Sequence, residues 1–411
     1  MLLRPKALLV ISMMALTFTL DHHELWLLYD FSCMAFLLVI LRNGFLTNAP
    51  ALFIGMLSVY LLYAFGSILE HGMHFISILS IWDTLKHLTV TIFLFGTLVR
   101  NGPDVPSIQR TLSRMLLGIF LIQVPLVYIQ YKGVAGGLDF DNVAGTFGDG
   151  SSHALAYLSA AVASVAWFGS RSQLLRVVTL LLSLLLNYWA ENVGGYILLF
   201  CIIGFWIVRS RKTILLSAIG VVPALLAALV LLGSQSAVLN KQLPTITGRI
   251  SDVTRGFSSS NGPTGSGSVD ATHSSRGDLM RYAIVLGGAF GRGFGAYSDI
   301  YKLHGWEESE LLNQQVDINE FSHIVSEEGL VGCALLVLTF LSLAAWPGLN
   351  TGLRAKYVTL FVICFIYNRF LMDERMYFYF ICAIYLTVRP PRRVPLRREA
   401  PMPNVAPELP A

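Results

Sequence analysis

Charge is scarce in this chain. Only 13% of its 411 residues are Asp, Glu, Lys or Arg, where a soluble domain carries about a quarter. That shortage excludes a single water-exposed globule. Cysteine is also scarce. The five present, Cys33, Cys201, Cys333, Cys364 and Cys382, all fall in apolar segments without metal-ligand spacing. No disulfide framework and no zinc or other metal site is expected. There is no Lys/Arg stripe with interleaved aromatics, so the net charge of +4 is no nucleic-acid footprint. No nucleic-acid partner and no cofactor is expected.

Apolar sequence is abundant: 55% of residues are hydrophobic and the mean hydropathy is +0.63. Twelve apolar segments separate at about 7–20, 25–41, 50–69, 75–99, 115–131, 153–168, 175–190, 194–209, 213–233, 329–346, 357–371 and 376–389. Several are shorter than the roughly 20 residues a straight span needs, and 7–41 and 175–209 have room for re-entrant pieces. The first segment lacks a small-x-small cleavage site and runs into another span, so it reads as a span and not as a removed signal peptide.

The connections between segments alternate in charge. One set carries Arg4/Lys6, Arg42, Arg100/Arg110/Arg114, Arg171/Arg176, Arg209/Arg211/Lys212, Arg354/Lys356 and Arg389 to Arg398. The other set reads DHHE, EHGMH, a glycine-rich stretch at 133–152, ENVGG and MDER, almost free of Lys and Arg. The positive-inside rule then places both termini in the cytoplasm. The expected fold is an all-α polytopic membrane protein with about 12 transmembrane helices and one large outer loop. Its expected parts are 1–233 with nine spans, the loop 234–326, 327–389 with three spans, and a disordered cytoplasmic tail at 390–411.

Within the loop, residues 234–255 include Lys241, Arg249 and Arg255, and the Gly/Ser-rich stretch 256–275 reads as a mobile flap. Ser275 can then N-cap a helix from Arg276, with Asp278 in its first turn. Leu279, Ala283 and Leu286 share one face of it, and Arg276 and Arg281 lie near its start. GRGFG at 291–295 ends that helix, because glycine accepts the backbone angles required. A second helix is expected near Asp317, leading into the tenth span and setting Asp317, Asn319, His323 and Glu327 close to the membrane surface. Arginines here read either as solubilising surface charges or as guanidinium forks for a phosphate or diphosphate. GRGFG does not follow a strand and open a helix, so a dinucleotide or Walker-type loop is rejected.

Charges at membrane depth are costly and usually face a cavity or each other. Asp83 is spaced to meet both Lys86 and His87 on one helix face. The choice lies between a local ion pair and a cavity in which Lys86 lines the site of an anionic head group. Glu191, Arg369, Asp373, Glu374 and Arg375, at outer span ends, read as structural ion pairs. His22, His23, His71 and His74 show no metal pattern and read as solvated.

Three stretches carry a family resemblance. DNVAGTFGDGSSHALAYL at 141–158 resembles the "GTFGN-P-N" stretch of the O-antigen polymerase and ligase superfamily, which joins undecaprenyl-diphosphate-linked glycans. SSRGDLMRYAIVLGGAFGRGFGAYS at 274–298 is similar to its Arg-led loop helix and "G-x-G-x-G" turn. VDINEFSHIVSEEGLVG at 316–332 is similar to its "DNEYL…E-x-G-L-x-G" entry into the next span. Ligases begin that third motif with His-Asn, where this chain has Ile318 and Asn319. They also carry an Arg in the segment matching AENVGGY, where Glu191 is the nearest charge. Both departures favour a Wzy-type O-antigen or exopolysaccharide polymerase over a ligase.

The resemblance implies a GT-C-like, metal-independent membrane glycosyltransferase of the bacterial inner membrane. Such an enzyme moves the growing glycan from undecaprenyl diphosphate to a hydroxyl of an incoming lipid-linked repeat unit. Fixed cations would hold the leaving diphosphate; Arg276, Arg281 and Arg249 are the candidates, with Arg292 behind them. A base would accept the hydroxyl proton; Asp317 comes first, with His323 and Glu327 as alternatives. Asn319 is either a structural cap or a sugar ligand. Whether a chain-length regulator (a polysaccharide co-polymerase) binds is left open. The competing readings are an O-antigen ligase acting on lipid A core and a lipid-linked glycan transporter. Against transport, the spans show no internal repeat, and the polar residues concentrate in the outer loop instead of at midplane. A receptor role has little to support it, since no signalling domain follows the last span.

Overall fold

A computed structural model describes residues 5–18, 24–71, 75–99, 105–134, 143–147, 152–170, 172–190, 192–209, 280, 283–285, 287–294, 320–367, 370–371 and 373–388. The described residues are nearly all helical, with no strand among them. The helices are α1 (Pro5–Thr17), α2 (Glu24–Arg42), α3 (Ala51–His71), α4 (Phe75–Val99), α5 (Val105–Val134), α6 (Ser152–Ser164), α7 (Gln173–Trp189), α8 (Val193–Arg209), α9 (Glu320–Ser342), α10 (Thr351–Tyr367) and α11 (Glu374–Leu386). Eleven of the twelve apolar segments fall on these helices. The segment 213–233, most of the loop 234–326 and the tail 390–411 lie outside the described residues. The stretches 7–41 and 175–209 each form two separate helices. α5 begins ten residues before its apolar run, because Arg110 and Arg114 occupy its first turns without ending it.

Three helical stretches are long and apolar enough to cross a membrane by length and composition: Ala51–His71, Val105–Gly133 and Glu320–Ala345. At about 1.5 Å per residue each matches or exceeds a hydrocarbon core of about 30 Å. The outer faces say the same. Leu27, Phe31, Met34, Leu38 and Leu41 recur at steps of four and three along α2, and all are exposed. Leu62, Phe65 and Leu69 do so on α3. Continuous apolar stripes of this size do not face water in a soluble monomer. This is a membrane protein with lipid-facing exteriors.

α11 is the central post. Its residues from Met376 to Leu386 are all buried, and it packs most extensively against α6. α6 supplies the space. Ala154, Ala156, Ser159, Ala160, Ala161, Ala163 and Ser164 are small and buried, and they let both α11 and α8 pack closely on this helix. Without a hydrophobic drive between helices in lipid, such close packing is what holds them together. The tyrosine hydroxyls find partners inside the bundle. Tyr379 meets Thr17 of α1 at 2.6 Å, Tyr377 meets Thr91 of α4 at 2.7 Å, and Tyr385 meets Thr97 at 3.3 Å. Caps set other helix starts: Ser172 Oγ accepts from Leu175 N at 3.2 Å before α7, and Asn350 Oδ1 accepts from Leu353 N at 2.8 Å at α10.

Ala156→Leu, at a fully buried position of α6, should overfill the packing around that helix and destabilise by about 1–3 kcal/mol. Leu62→Ala, on a lipid-facing position, should change stability by no more than about 0.5 kcal/mol. Thermal melting of the two variants in the same detergent separates these outcomes.

Candidate functional site

The first turn of α11, from the MDER connection, gathers side chains from distant parts of the chain. Asp373 caps the helix, its Oδ1 accepting from Arg375 N at 2.9 Å and Met376 N at 3.4 Å. Its Oδ2 pairs with Arg375 Nη2 at 2.7 Å. Burial pushes the Asp373 carboxyl up, but the Arg375 guanidinium and these backbone N–H groups outweigh it and hold the pKa below the usual carboxylate range.

Arg375 Nη1 also donates to the Phe147 carbonyl at 2.6 Å. That carbonyl belongs to the buried turn Gly145–Phe147, the GTF of the first motif. Two glutamines seven residues apart on α5 hold the turn. Gln130 accepts from Gly145 N at 2.6 Å and donates to Gly145 O at 3.0 Å. Gln123 accepts from Thr146 N at 2.9 Å and donates to Thr146 Oγ1. Thr146 Oγ1 in turn donates to Thr17 O at 2.7 Å. The motif is thus a backbone seat for α11.

Glu374 opens a second cluster. Its Oε1 lies 2.7 Å from Lys86 Nζ, which also meets Asp83 at 2.7 Å and Asp30 at 2.9 Å. Lys86 is 4% exposed and Glu374 5%, whereas Asp30 and Asp83 are 29% and 42% exposed. The most buried carboxylate therefore depends most on the ammonium. Of the two readings of Lys86, the structure shows the ion pair, with its three N–H donors facing three carboxylates. Asp83 meets Lys86 as its spacing predicts, but not His87. His87 Nε2 instead lies 2.6 Å from Leu371 O, and its ring stacks on Tyr377 at 4.3 Å. A carbonyl partner makes Nε2 the protonated nitrogen. Leu371 N donates to Glu320 Oε2 at 2.8 Å, so Leu371 is clamped between α4 and the start of α9.

α9 carries the third motif and is broken within it. Gly329 has φ +69° and ψ −179°, angles that only glycine adopts readily. In an unbroken helix, Leu330 N and Val331 N would bond to Ser326 O and Glu327 O. Here Leu330 N donates to Gly288 O at 3.0 Å and Val331 N to Ala289 O at 3.0 Å. The released carbonyls accept from the same loop: Arg292 N reaches Ser326 O at 3.2 Å and Glu327 O at 3.1 Å, and Gly293 N reaches Glu327 O at 2.9 Å. The second motif is thus docked into the break of the third, backbone to backbone. A Cβ on Gly291 would overlap the Glu327 carbonyl, and one on Gly329 would overlap the backbone of Gly291 and Ala289. GRGFG turns the chain as expected, and it is also one half of this joint.

Beside the joint, His323 Nε2 lies 3.2 Å from Glu327 Oε1, one helical turn apart. Arg292 itself is exposed, and among the described residues its guanidinium has no carboxylate partner. Arg292 and Glu327 therefore meet through their backbones, and Glu327 and His323 through their side chains. Arg249, Arg276, Arg281, Asp317 and Asn319 lie outside the described residues. Sequence reasoning missed Asp30, Glu320, Tyr63 and Glu328. Tyr63 donates to Phe290 O at 2.8 Å and also reaches Glu328 O. Buried Glu328 accepts from Tyr60 OH at 3.1 Å. The signal for Asp30 and Tyr63 was a charge or hydroxyl in an apolar segment, and Glu320 and Glu328 lay within the polar stretch that leads into the tenth span.

Lys86→Met should leave the buried Glu374 without its cation and cost about 3–5 kcal/mol; Lys86→Arg should cost less, and thermal melting measures both. Asp373 gives a pH signature. Its folded pKa is lower than its unfolded one, so it stabilises above the ordinary value of 3.8, and this is lost as pH falls through the folded value. The stability gap between wild type and Asp373→Asn should therefore shrink below about pH 4 in acid titrations.

No protein family matches the chain, and no curated protein matches it. Its function has to come from the arrangement of its own residues.

Proposed function

We propose that this chain is a polysaccharide polymerase of the O-antigen or exopolysaccharide type. In this reading it crosses the bacterial inner membrane twelve times, with both termini in the cytoplasm, and joins undecaprenyl-diphosphate-linked glycans on the outer face. One observation carries the reading. The backbone of Arg292 is bonded to the carbonyls of Ser326 and Glu327, which brings the residue that carries an exposed cation to the same joint as the residue that pairs with His323. Glycan transfer from a lipid diphosphate needs that combination: a fixed cation for the leaving group and an acceptor for a hydroxyl proton.

In the reaction, an acceptor hydroxyl oxygen bonds to the anomeric carbon of the growing chain. The bond from that carbon to the diphosphate oxygen breaks, and undecaprenyl diphosphate leaves with the bonding electrons. The hydroxyl proton passes to the base. Arg292, with Arg249, Arg276 and Arg281, meets the charge that grows on the diphosphate. His323, steadied by Glu327, or Asp317 takes the proton. Asn319 hydrogen-bonds the sugar. The lipid tails lie against the exposed apolar face of α3 and α9, where Leu62, Phe65, Leu69, Leu330 and Val331 point outward.

A second reading rests on the break at Gly329. Discontinuous helices recur in transporters, where the broken ends bind substrate near midplane. Here both broken ends are satisfied by the glycine loop, which favours a structural joint over an ion or substrate site.

Deleting the gene should leave single repeat units on the lipid carrier or core, seen by glycan electrophoresis and mass spectrometry. Arg292→Ala and His323→Ala should each lower polymer formation by about 10²-fold or more at equal membrane expression. Long polymer that stays on the carrier would make this a ligase. Normal polymer length and attachment would sink the glycan-transfer reading.

A further inference from the structure

The joint between the two glycine motifs has more precision than a turn requires. Its bonds are exchanged crosswise. The helix break releases the amides of Leu330 and Val331 and the carbonyls of Ser326 and Glu327, and one short loop receives all four groups. Gly287 completes the fit, since a Cβ there would overlap the Val325 carbonyl. One side chain spans the joint. The Tyr63 hydroxyl, from α3, reaches Phe290 O on the loop at 2.8 Å and Glu328 O on α9. Gly332 makes room for it: a Cβ at that position would come within 2.6 Å of the Tyr63 ring.

The joint also has a stated cargo. Arg292 is the residue whose amide bonds to Ser326 and Glu327, and Glu327 is the residue whose carboxylate pairs with His323. Any slip of the loop along α9 would move the guanidinium relative to the imidazole and carboxylate. Side-chain contacts tolerate such slips, whereas a set of paired backbone bonds in an apolar setting does not.

We infer that Tyr63, together with Gly287, Gly291 and Gly329, is a positioning element that fixes the register between Arg292 and the His323–Glu327 pair. This rests on the glycan-transfer reading for the identity of the reaction, but the joint itself can be tested without it. None of the four residues is assigned contact with substrate. Their loss should slow turnover and leave substrate affinity near the wild-type value, because a displacement of about 1 Å at a reacting centre can cost on the order of 10²-fold.

The experiment pairs a structural probe with a kinetic one. Ala289 and Val331 are joined by a 3.0 Å backbone bond, so an Ala289→Cys, Val331→Cys pair in a Cys333→Ala background should cross-link under mild oxidation in membranes. Tyr63→Phe, which keeps the ring, should reduce that cross-linking several-fold, and Gly329→Ala should abolish it. Initial rates are then measured with the lipid-linked repeat units extracted from the deletion strain. Tyr63→Phe should lower kcat by roughly tenfold or more with KM unchanged, at wild-type expression and melting temperature. If cross-linking survives both substitutions, the joint does not depend on these residues and the proposal falls. If cross-linking is lost while kcat is untouched, the joint exists but positions nothing, and the proposal also falls with the glycan-transfer reading intact. If KM rises instead of kcat falling, Tyr63 touches substrate and is not a positioning residue. If wild type itself makes no polymer from these units, the glycan-transfer reading fails, and the cross-linking arm alone decides whether the joint is real.

Discussion

Hydrocarbon offers no hydrogen bonds, so every amide, carbonyl and charge that enters it must be answered by the protein itself. Most of this chain meets that demand with unbroken helices. Among the described residues two places do not: one where the second and third motifs meet, and one where α11 holds the GTF turn. At Gly329 a helix opens and a loop supplies the missing partners. At the first turn of α11 a buried carboxylate, an ammonium, a guanidinium and two backbone carbonyls answer one another. A membrane protein keeps such costly departures where position matters more than stability.

The two places are linked through α9. Glu320, at its start, holds Leu371 just ahead of α11, and His323 and Glu327 follow on the next two turns. α11 in turn holds the GTF turn through Arg375. The small residues of α6 let α11 sit at the centre, and its tyrosines tie it to α1 and α4. The core packing and the polar groups at the helix ends are therefore tied together. Moving α11 would disturb the seat of the GTF turn and the start of α9 together.

Much of the fold was legible in the sequence because apolar length is a strong signal. The fourth segment, read as 75–99, is the helix Phe75–Val99. The reading fell short where charge interrupts a helix without ending it, as with Arg110 and Arg114 in α5. The helix expected from near Asp317 into the tenth span is present from Glu320, but nothing in SEEG at 326–329 announced its break at Gly329. The site was less legible, for a different reason. Asp83 and Lys86 are three residues apart and their pairing could be read, but Glu374 lies 288 residues from Lys86. No periodicity shows that these two meet, so the sequence offered Asp83 as a partner of Lys86 but not Glu374. The glycines of GRGFG announced a turn, but nothing local announced that their partner was a second glycine motif. His323 and Glu327 were read separately, as alternative bases, although helix spacing puts them one turn apart.

The central claim is that this chain forms glycosidic bonds at the expense of a lipid diphosphate. The most direct test is to place the purified protein in lipid nanodiscs with repeat units extracted from the deletion strain, and to follow products by mass spectrometry. The account predicts glycans of two or more repeat units and free undecaprenyl diphosphate in matching amounts, both lost in Arg292→Ala. Repeat units that stay single, with no diphosphate released by protein that is folded and correctly inserted, would contradict it.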